Sequence, residues 1–168
     1  MISTVLINAV ALLIDINIKP SITNPIIVTE QIYYKNPVLE IPKVKLKQEV
    51  YPNDINKNHV DKGIQVISGS KMPDISNGNF ILASHSGNSS IAYFKNLNQI
   101  NFNDSFYIYY KDKKYRYIIG DIYDVPKTGY VEIKRNKSKS STTLITCKKG
   151  TNMQTVYIGY LVSTEKTP

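Results

Sequence analysis

The chain has 168 residues, of which 42% are hydrophobic and 20% charged. This length supports one domain with its own hydrophobic core, and the composition excludes a disordered chain as the default. The net charge is +8, nearly all from Lys, since Arg116 and Arg135 are the only arginines. A basic chain suits an anionic partner such as nucleic acid, a phospholipid surface or a cell-wall polymer, although Lys-rich usage also arises from genome composition.

The N-terminal segment is apolar and uncharged from Met1 to Ile14, where Asp15 interrupts it. It is shorter than the roughly 20 residues that span a bilayer, and it lacks the basic start of a secretory signal. A membrane anchor, a signal remnant and an apolar segment that spans nothing all remain open. Residues 15–35 carry Pro20 and Pro25 among polar residues, which is typical of a linker. We therefore expect residues 1–37 to be an N-terminal segment and linker, and residues 38–168 to be the folded domain.

From Val38 onward, short apolar or alternating runs recur between turn signals, which indicates a β-barrel or sandwich. A turn at Asp112-Lys113 predicts a hairpin, and residues 92–97 carry apolar side chains at the spacing of one short helix. Residues 134–141 read as a charged loop. About eight strands and no long helix are predicted, with strands over 38–41, 46–51, 63–67, 79–84, the two arms of 105–117, 142–146 and 155–162, and a run broken by Pro and Gly at 125–133.

Cys147 is the only cysteine, which excludes an intramolecular disulfide and a multi-Cys zinc site. It follows the predicted strand Thr143–Thr146 and precedes Lys148 and Lys149, and cations lower the pKa of a neighbouring thiol. A lone Cys is more often a small buried hydrophobe, so position alone leaves both interpretations open.

His85 follows another predicted strand, Ile81–Ser84, whereas His59, the second histidine, lies in a polar stretch typical of a solvated loop. A His and a Cys at the ends of two strands can meet at a barrel rim, where the imidazole assists the thiolate and later protonates a leaving amine. Without that partner, His85 is an ordinary polar residue at a strand end.

Other kinds of site find no support in the sequence. It contains no paired-carboxylate motif, glycine-rich phosphate loop or metal cluster. A basic barrel with 13 Tyr residues could stack single-stranded nucleic acid. The tyrosines mostly alternate within strands, however, which favours barrel walls over a stacking platform.

At these residues the sequence resembles the sortase family. Residues 143–147 (TLITC) match that family's nucleophile signature, and residues 82–85 (LASH) match the strand that delivers its histidine. Residues 39–43 (LEIPK) resemble the first strand of these barrels. The order and spacing agree from about residue 38 to residue 162.

The resemblance implies an all-β fold, an eight-stranded sortase-like β-barrel with one or two short helices. It implies a cysteine transpeptidase on the extracytoplasmic face of a Gram-positive-type membrane, anchored or secreted. Its thiolate would attack an LPxTG-like sorting signal of surface proteins. An amine of a cell-wall precursor or a pilin Lys would then resolve the thioacyl enzyme. No metal or organic cofactor and no nucleic acid is implied.

One departure concerns the family's catalytic arginine on the last strand, whose position here is Gln154. Arg offers a fixed cation and a fork of donors, whereas Gln keeps donors and loses the charge. We expect Arg135, Lys148 or Lys149 to supply a substrate-binding cation, and Thr146 to support the site. The alternative is a catalytically weak sortase-like domain that binds a peptide or wall polymer.

Overall fold

The computed structural model describes residues 31–167, so the apolar segment 1–14 and most of the predicted linker lie outside the described residues. The helical elements within this range are two single 3₁₀ turns, Pro42–Val44 and Leu97–Gln99. The predicted all-β fold with eight strands is confirmed. The strands are Tyr34–Ile41 (β1), Leu46–Glu49 (β2), Gln65–Val66 (β3), Asn79–Ala83 (β4), Ser105–Lys111 (β5), Lys113–Pro126 (β6), Ser141–Cys147 (β7) and Met153–Lys166 (β8).

The eight strands form one sheet in the order β2-β1-β5-β6-β8-β7-β4-β3, and the sheet curves into a barrel around one core. Neighbouring strands are antiparallel except β4 and β7, which run parallel in the register Asn79↔Ser141 to Ala83↔Ile145. Because parallel neighbours finish at the same edge of a sheet, the residues that end β4 and β7 lie side by side. This pairing positions the site described below.

The barrel interior is filled by every second residue of the strands, as the alternating pattern predicted. In the β5–β6 hairpin, Phe106 and Ile108 are buried while Tyr107 and Tyr109 are partly exposed. Three tyrosines, Tyr115, Tyr117 and Tyr157, are buried. They pack within the barrel, as the alternating pattern favoured, and do not form an exposed stacking platform. The largest fully buried side chains are Tyr117, Phe80, Phe94, Phe106, Leu39, Ile41, Leu82, Leu97, Ile108, Ile119, Leu144 and Ile158.

Gly159 in β8 is required by the packing beneath it. The Phe106 ring stacks on Tyr117 with centroids 5.2 Å apart, and a Cβ at position 159 would overlap that Phe106 ring. The glycine therefore makes room for an aromatic pair at the centre of the barrel.

Residues 92–97, predicted as a short helix, instead form a series of tight turns closed by bonds between residues three apart. The amide of Lys95 donates to the carbonyl of Ala92, and that of Leu97 donates to Phe94. The reason lies in the core, where Phe94, Leu97 and Ile100 are buried at a spacing of three. A 3₁₀ geometry stacks residues three apart on one side, whereas an α-helix would rotate them around its axis.

Strand boundaries differ from the predicted ones mainly at the two ends of the domain. β1 begins at Tyr34, inside the predicted linker, and β8 runs from Met153 to Lys166. β6 continues to Pro126 because it pairs with β8 along its length. No helix within residues 31–167 is long and apolar enough to cross a membrane.

Candidate active site

Cys147 is the last residue of β7, and the residue is partly exposed. Directly across the antiparallel β7–β8 pair lies Gln154. Residues directly opposite each other in a sheet present their side chains to the same face, with Cβ atoms about 5 Å apart. The structure therefore brings the predicted nucleophile and the residue at the expected arginine position together.

His85 follows β4 on the other side of β7. Ala83 pairs with Ile145, and the amide of Ser84 donates to the Ile145 carbonyl at 3.3 Å, so the register continues past the last residue of β4. Extending this register by two residues from the Ala83–Ile145 pair places His85 opposite Cys147. His85, Cys147 and Gln154 thus form a row across three adjacent chain segments, on the sheet face opposite the core residue Leu144.

Hydrogen bonds from neighbouring segments hold this row in place. The buried Thr146 hydroxyl donates to the Ser84 carbonyl at 2.8 Å, which ties β7 to the segment that carries the histidine. The His85 carbonyl accepts from the Phe94 amide at 3.1 Å. Thr146 was predicted to support the site, and this bond is the contact through which it can do so.

Asp61, which the sequence did not single out, contacts His85. Its Oδ1 lies 2.7 Å from Nε2 of His85. The hydrogen bond from His85 holds the pKa of Asp61 below its ordinary range. Asp61 lies in a polar loop, 24 positions before the histidine. The only sequence feature that hinted at its place near the sheet was the apolar run 63–67, which follows it and returns the loop to the sheet.

Lys148 points to the opposite face from the thiol. Its Nζ lies 2.5 Å from Oδ2 of Asp124, and the Thr155 hydroxyl donates to Oδ1 of the same carboxylate at 2.8 Å. The Lys148 bond, followed by that of Thr155, lowers the pKa of Asp124. Lys148 is therefore bound in an ion pair, while Lys149 is exposed in the turn that follows.

Arg135 lies at the other end of the β4–β7 pair. Its guanidinium donates to the carbonyls of Asn77, before β4, and Lys139, before β7. β7 separates that end from Cys147 by about 20 Å of extended chain. The structure thus does not bring Arg135 to the thiol, and its predicted contact with substrate would have to be made away from Cys147.

A cavity of about 540 Å³ adjoins Cys147 on the side of Lys148 and Asp124, and neither His85 nor Gln154 lines it. Its size is that of an ordinary small-ligand site. Part of its wall comes from the turns of residues 86–102. The other lining residues are Ile122, Asp124, Thr146, Cys147, Lys148, Lys149, Thr155 and Tyr157.

The remaining groups that could take part in chemistry are possible metal ligands and the second histidine, His59. Within residues 31–167, no three or more His, Cys, Asp or Glu side chains cluster as metal ligands do. His59 is exposed in the β2–β3 loop, as expected, and its Nδ1 accepts from the Asp61 amide at 3.2 Å.

Comparison with known proteins supports the same family. The sortase domain family matches residues 39–162. Sortase C from Streptococcus pneumoniae superposes with a TM-score of 0.68 at 19% identity, covering 80% of this chain and 71% of that chain. Sortase C1 from Streptococcus agalactiae gives 0.66 at 23% identity, with 76% and 68% covered.

Sortase A from Listeria monocytogenes also gives a TM-score of 0.66 at 23% identity, with 80% of this chain and 91% of that chain covered. No protein of curated function is significantly similar in sequence. At these identities the structural matches establish the fold, and the domain match establishes the family. The chain belongs to the sortase family, the sortase-type cysteine transpeptidases.

Proposed function

We propose that this chain cleaves an LPxTG-like sorting signal of surface proteins and transfers the acyl group to an amine. The acceptor would be an amine of a cell-wall precursor or a pilin Lys, and the site of action the extracytoplasmic face of the membrane. The observation that carries the proposal is the row formed by His85, Cys147 and Gln154 at the ends of β4 and β7 and the start of β8. A nucleophile, a proton carrier and a hydrogen-bond donor are what acyl transfer requires.

In the first half of the reaction, the Cys147 thiolate attacks the carbonyl carbon of the scissile peptide bond. A C–S bond forms, and the carbonyl oxygen becomes an oxyanion. When the intermediate collapses, the C–N bond breaks and the leaving amine takes a proton from the His85 imidazolium. The products are a thioacyl enzyme and the released C-terminal peptide.

In the second half, the neutral amine of the acceptor attacks the thioester. A new C–N bond forms, the C–S bond breaks, and the amine gives up a proton to His85. Cys147 returns as thiolate and His85 as imidazolium, so the cycle closes without an added oxidant, reductant or cofactor.

Gln154 is the donor closest in register to the thiol, and we assign it the oxyanion. Its amide N–H can donate to the developing negative charge, although it supplies no positive charge. Lys148 does not replace the missing cation on this face because it is paired with Asp124. We therefore expect slow acylation.

The cavity that adjoins Cys147 offers space for the body of the acceptor, whose amine would have to reach His85 outside the cavity lining. Lys95, Lys148 and Lys149 lie along it, with Asp124 as its acidic group. An excess of positive charge favours an acceptor that carries carboxylates. The same excess of positive charge would also suit an anionic wall polymer that binds in the cavity and is not a substrate.

The second candidate function is therefore a catalytically weak domain that binds a sorting peptide or wall polymer. The uncharged Gln154 and the engaged Lys148 favour it. Both candidates use the same surface, and they differ in turnover. The nucleic-acid alternative finds no support at this site, because none of its features involves His85 or Cys147.

A thiol probe separates the two candidates. Incubation of the protein with a vinyl sulfone near neutral pH should label Cys147 faster than it labels a free thiol of a small peptide, and His85→Ala should remove the advantage. Labelling at the rate of a free thiol would count against the enzyme.

Turnover tests the reaction itself. A fluorogenic library of LPxTG-like peptides, incubated with and without a primary amine, should yield cleavage that depends on Cys147 and a ligated product when the amine is present. Binding of a peptide without any cleavage would select the second candidate. Steeply salt-dependent binding of oligonucleotides would instead revive the nucleic-acid reading.

A further inference from the structure

A carboxylate lies against the proposed proton carrier of the site. Asp61 Oδ1 is 2.7 Å from His85 Nε2. An ionised carboxylate can only accept a hydrogen bond, so the proton of this contact belongs to Nε2. In the neutral imidazole the lone pair then lies on Nδ1, which makes Nδ1 the nitrogen that exchanges a proton with the thiol.

The loop that carries Asp61 is closed by several bonds, so the contact is part of the folded architecture. The Asn58 side chain accepts from the Val66 amide at 2.6 Å and donates to the Val66 carbonyl at 3.1 Å. The Gly63 amide donates to the His59 carbonyl at 3.1 Å, which forms a turn around Asp61.

The same loop is tied to the strand end that delivers the histidine. The buried Ser84 hydroxyl donates to the Gly63 carbonyl at 3.1 Å, and Gln65 pairs with Ala83. Ile64 is buried in the core beside these contacts. The bond between Ser84 and Gly63 therefore fixes both partners of the contact, because Ser84 directly precedes His85 and Gly63 lies two residues after Asp61.

We propose that Asp61 is a positioning residue that orients His85 and stabilises its imidazolium form. This inference rests on the proposed role of His85 as proton carrier. Because Gln154 places no charge beside Cys147, the thiolate depends on the imidazolium for its countercharge. A carboxylate that favours the imidazolium therefore favours the reactive ion pair.

The charges around Asp61 agree with this role. The hydrogen bond from His85 lowers the pKa of Asp61, so it is ionised at neutral pH. His59 Nδ1 lies 3.4 Å from Oδ2. Within residues 31–167, these two imidazoles are the titratable groups set against the carboxylate. The Asp61 side chain is 65% exposed, so the effect should be moderate and weakened by salt.

The test compares the full chain with Asp61→Asn, Asp61→Glu and the matched control Asp54→Asn. Asp54 accepts amide bonds from Asn56 and Lys57 in the same loop and is not bonded to His85. Two quantities are measured: the rate of Cys147 alkylation by iodoacetamide against pH, and kcat and KM for a cleaved peptide.

Asp61→Asn should lower kcat about fivefold with little change in KM, since an exposed charge contact has a modest effect in water. It should also move the acid limb of the alkylation profile to higher pH, because the imidazolium that supports the thiolate is less favoured. Asp61→Glu should restore most of both quantities, and Asp54→Asn should leave them unchanged.

Two results would overturn the inference. One is an Asp61→Asn profile that coincides with that of Asp54→Asn. The other is an alkylation profile that His85→Ala leaves unchanged, since Asp61 acts only through that ring. If no peptide is turned over but Asp61→Asn still shifts the alkylation profile, the positioning role stands and the proposed transpeptidase activity fails.

Discussion

Cys147 and Gln154 are direct cross-strand partners at the β7–β8 end of the sheet. The two side chains share a face, so a longer or charged side chain at position 154 would be directed at the thiol and at a carbonyl bound to it. The uncharged amide at this position is the feature that most separates this site from the arrangement that the family resemblance led us to expect.

We expect Gln154→Arg to raise kcat/KM for peptide cleavage about tenfold or more, because a guanidinium adds a fixed charge and a second donor for the oxyanion. Steady-state kinetics with the best peptide of the library measure the effect. Met153→Arg is the matched control, since it adds the same charge one residue earlier on the other face of β8. An unchanged or lower rate in Gln154→Arg would show that position 154 does not face the reacting carbonyl.

The bond between Thr146 and Ser84 predicts a joint effect on stability and reactivity. Thr146→Val preserves shape but leaves the buried Ser84 carbonyl without its 2.8 Å donor. We expect the free energy of unfolding to fall by about 1–2 kcal/mol and the alkylation of Cys147 to slow, because the ends of β4 and β7 lose a connection. Urea denaturation and the alkylation rate measure the two effects.

Thr142→Val is the matched control for that experiment. The Thr142 hydroxyl is buried beside Tyr117, but it forms no hydrogen bond of normal length and angle with a described residue. Its removal should therefore change stability by less than about 0.5 kcal/mol or increase it. Equal losses in the two variants would mean that any Thr to Val change in β7 is harmful.

The aromatic pair beneath β8 predicts that Gly159→Ala is destabilising. A Cβ at this position would overlap the Phe106 ring, which is held against Tyr117. We expect a loss of about 2 kcal/mol or more, measured by thermal or urea unfolding. Gly87→Ala, at a position with open space, should be neutral, and a neutral Gly159→Ala would show that the ring can move aside.

Much of the architecture was predictable because alternation and turn residues are local properties of the sequence. The β5–β6 hairpin and the strands ending at Ala83 and Cys147 follow from such patterns. The pairing of β4 with β7 is different, because it is a parallel contact between segments more than 50 residues apart along the chain. That step came from the resemblance, which placed His85 next to Cys147.

The missed or displaced site residues share one cause, which is that long-range contacts decide where polar side chains point. Asp61 reaches His85 through a loop folded back by Asn58 and Ser84. Lys148 turns from the thiol because Asp124, 24 residues earlier, accepts its ammonium group. Neither contact has a local sequence signature.

The Asp124–Lys148 pair predicts an acid-dependent contribution to stability. The pair lowers the pKa of Asp124 in the folded chain, so the unfolded chain binds more protons in acid. The contribution is therefore present above about pH 4, the ordinary range for Asp, and is lost as the pH falls through the lowered pKa. Since the Lys148 side chain is 50% exposed, Asp124→Asn should cost only about 0.5 kcal/mol at pH 7, and the difference from the unaltered protein should vanish once the pH is below the lowered pKa of Asp124. Urea unfolding at several pH values measures this contribution. Lys148→Gln and the double variant complete a double-mutant cycle. Fully additive losses of stability in that cycle would show that the two groups do not interact.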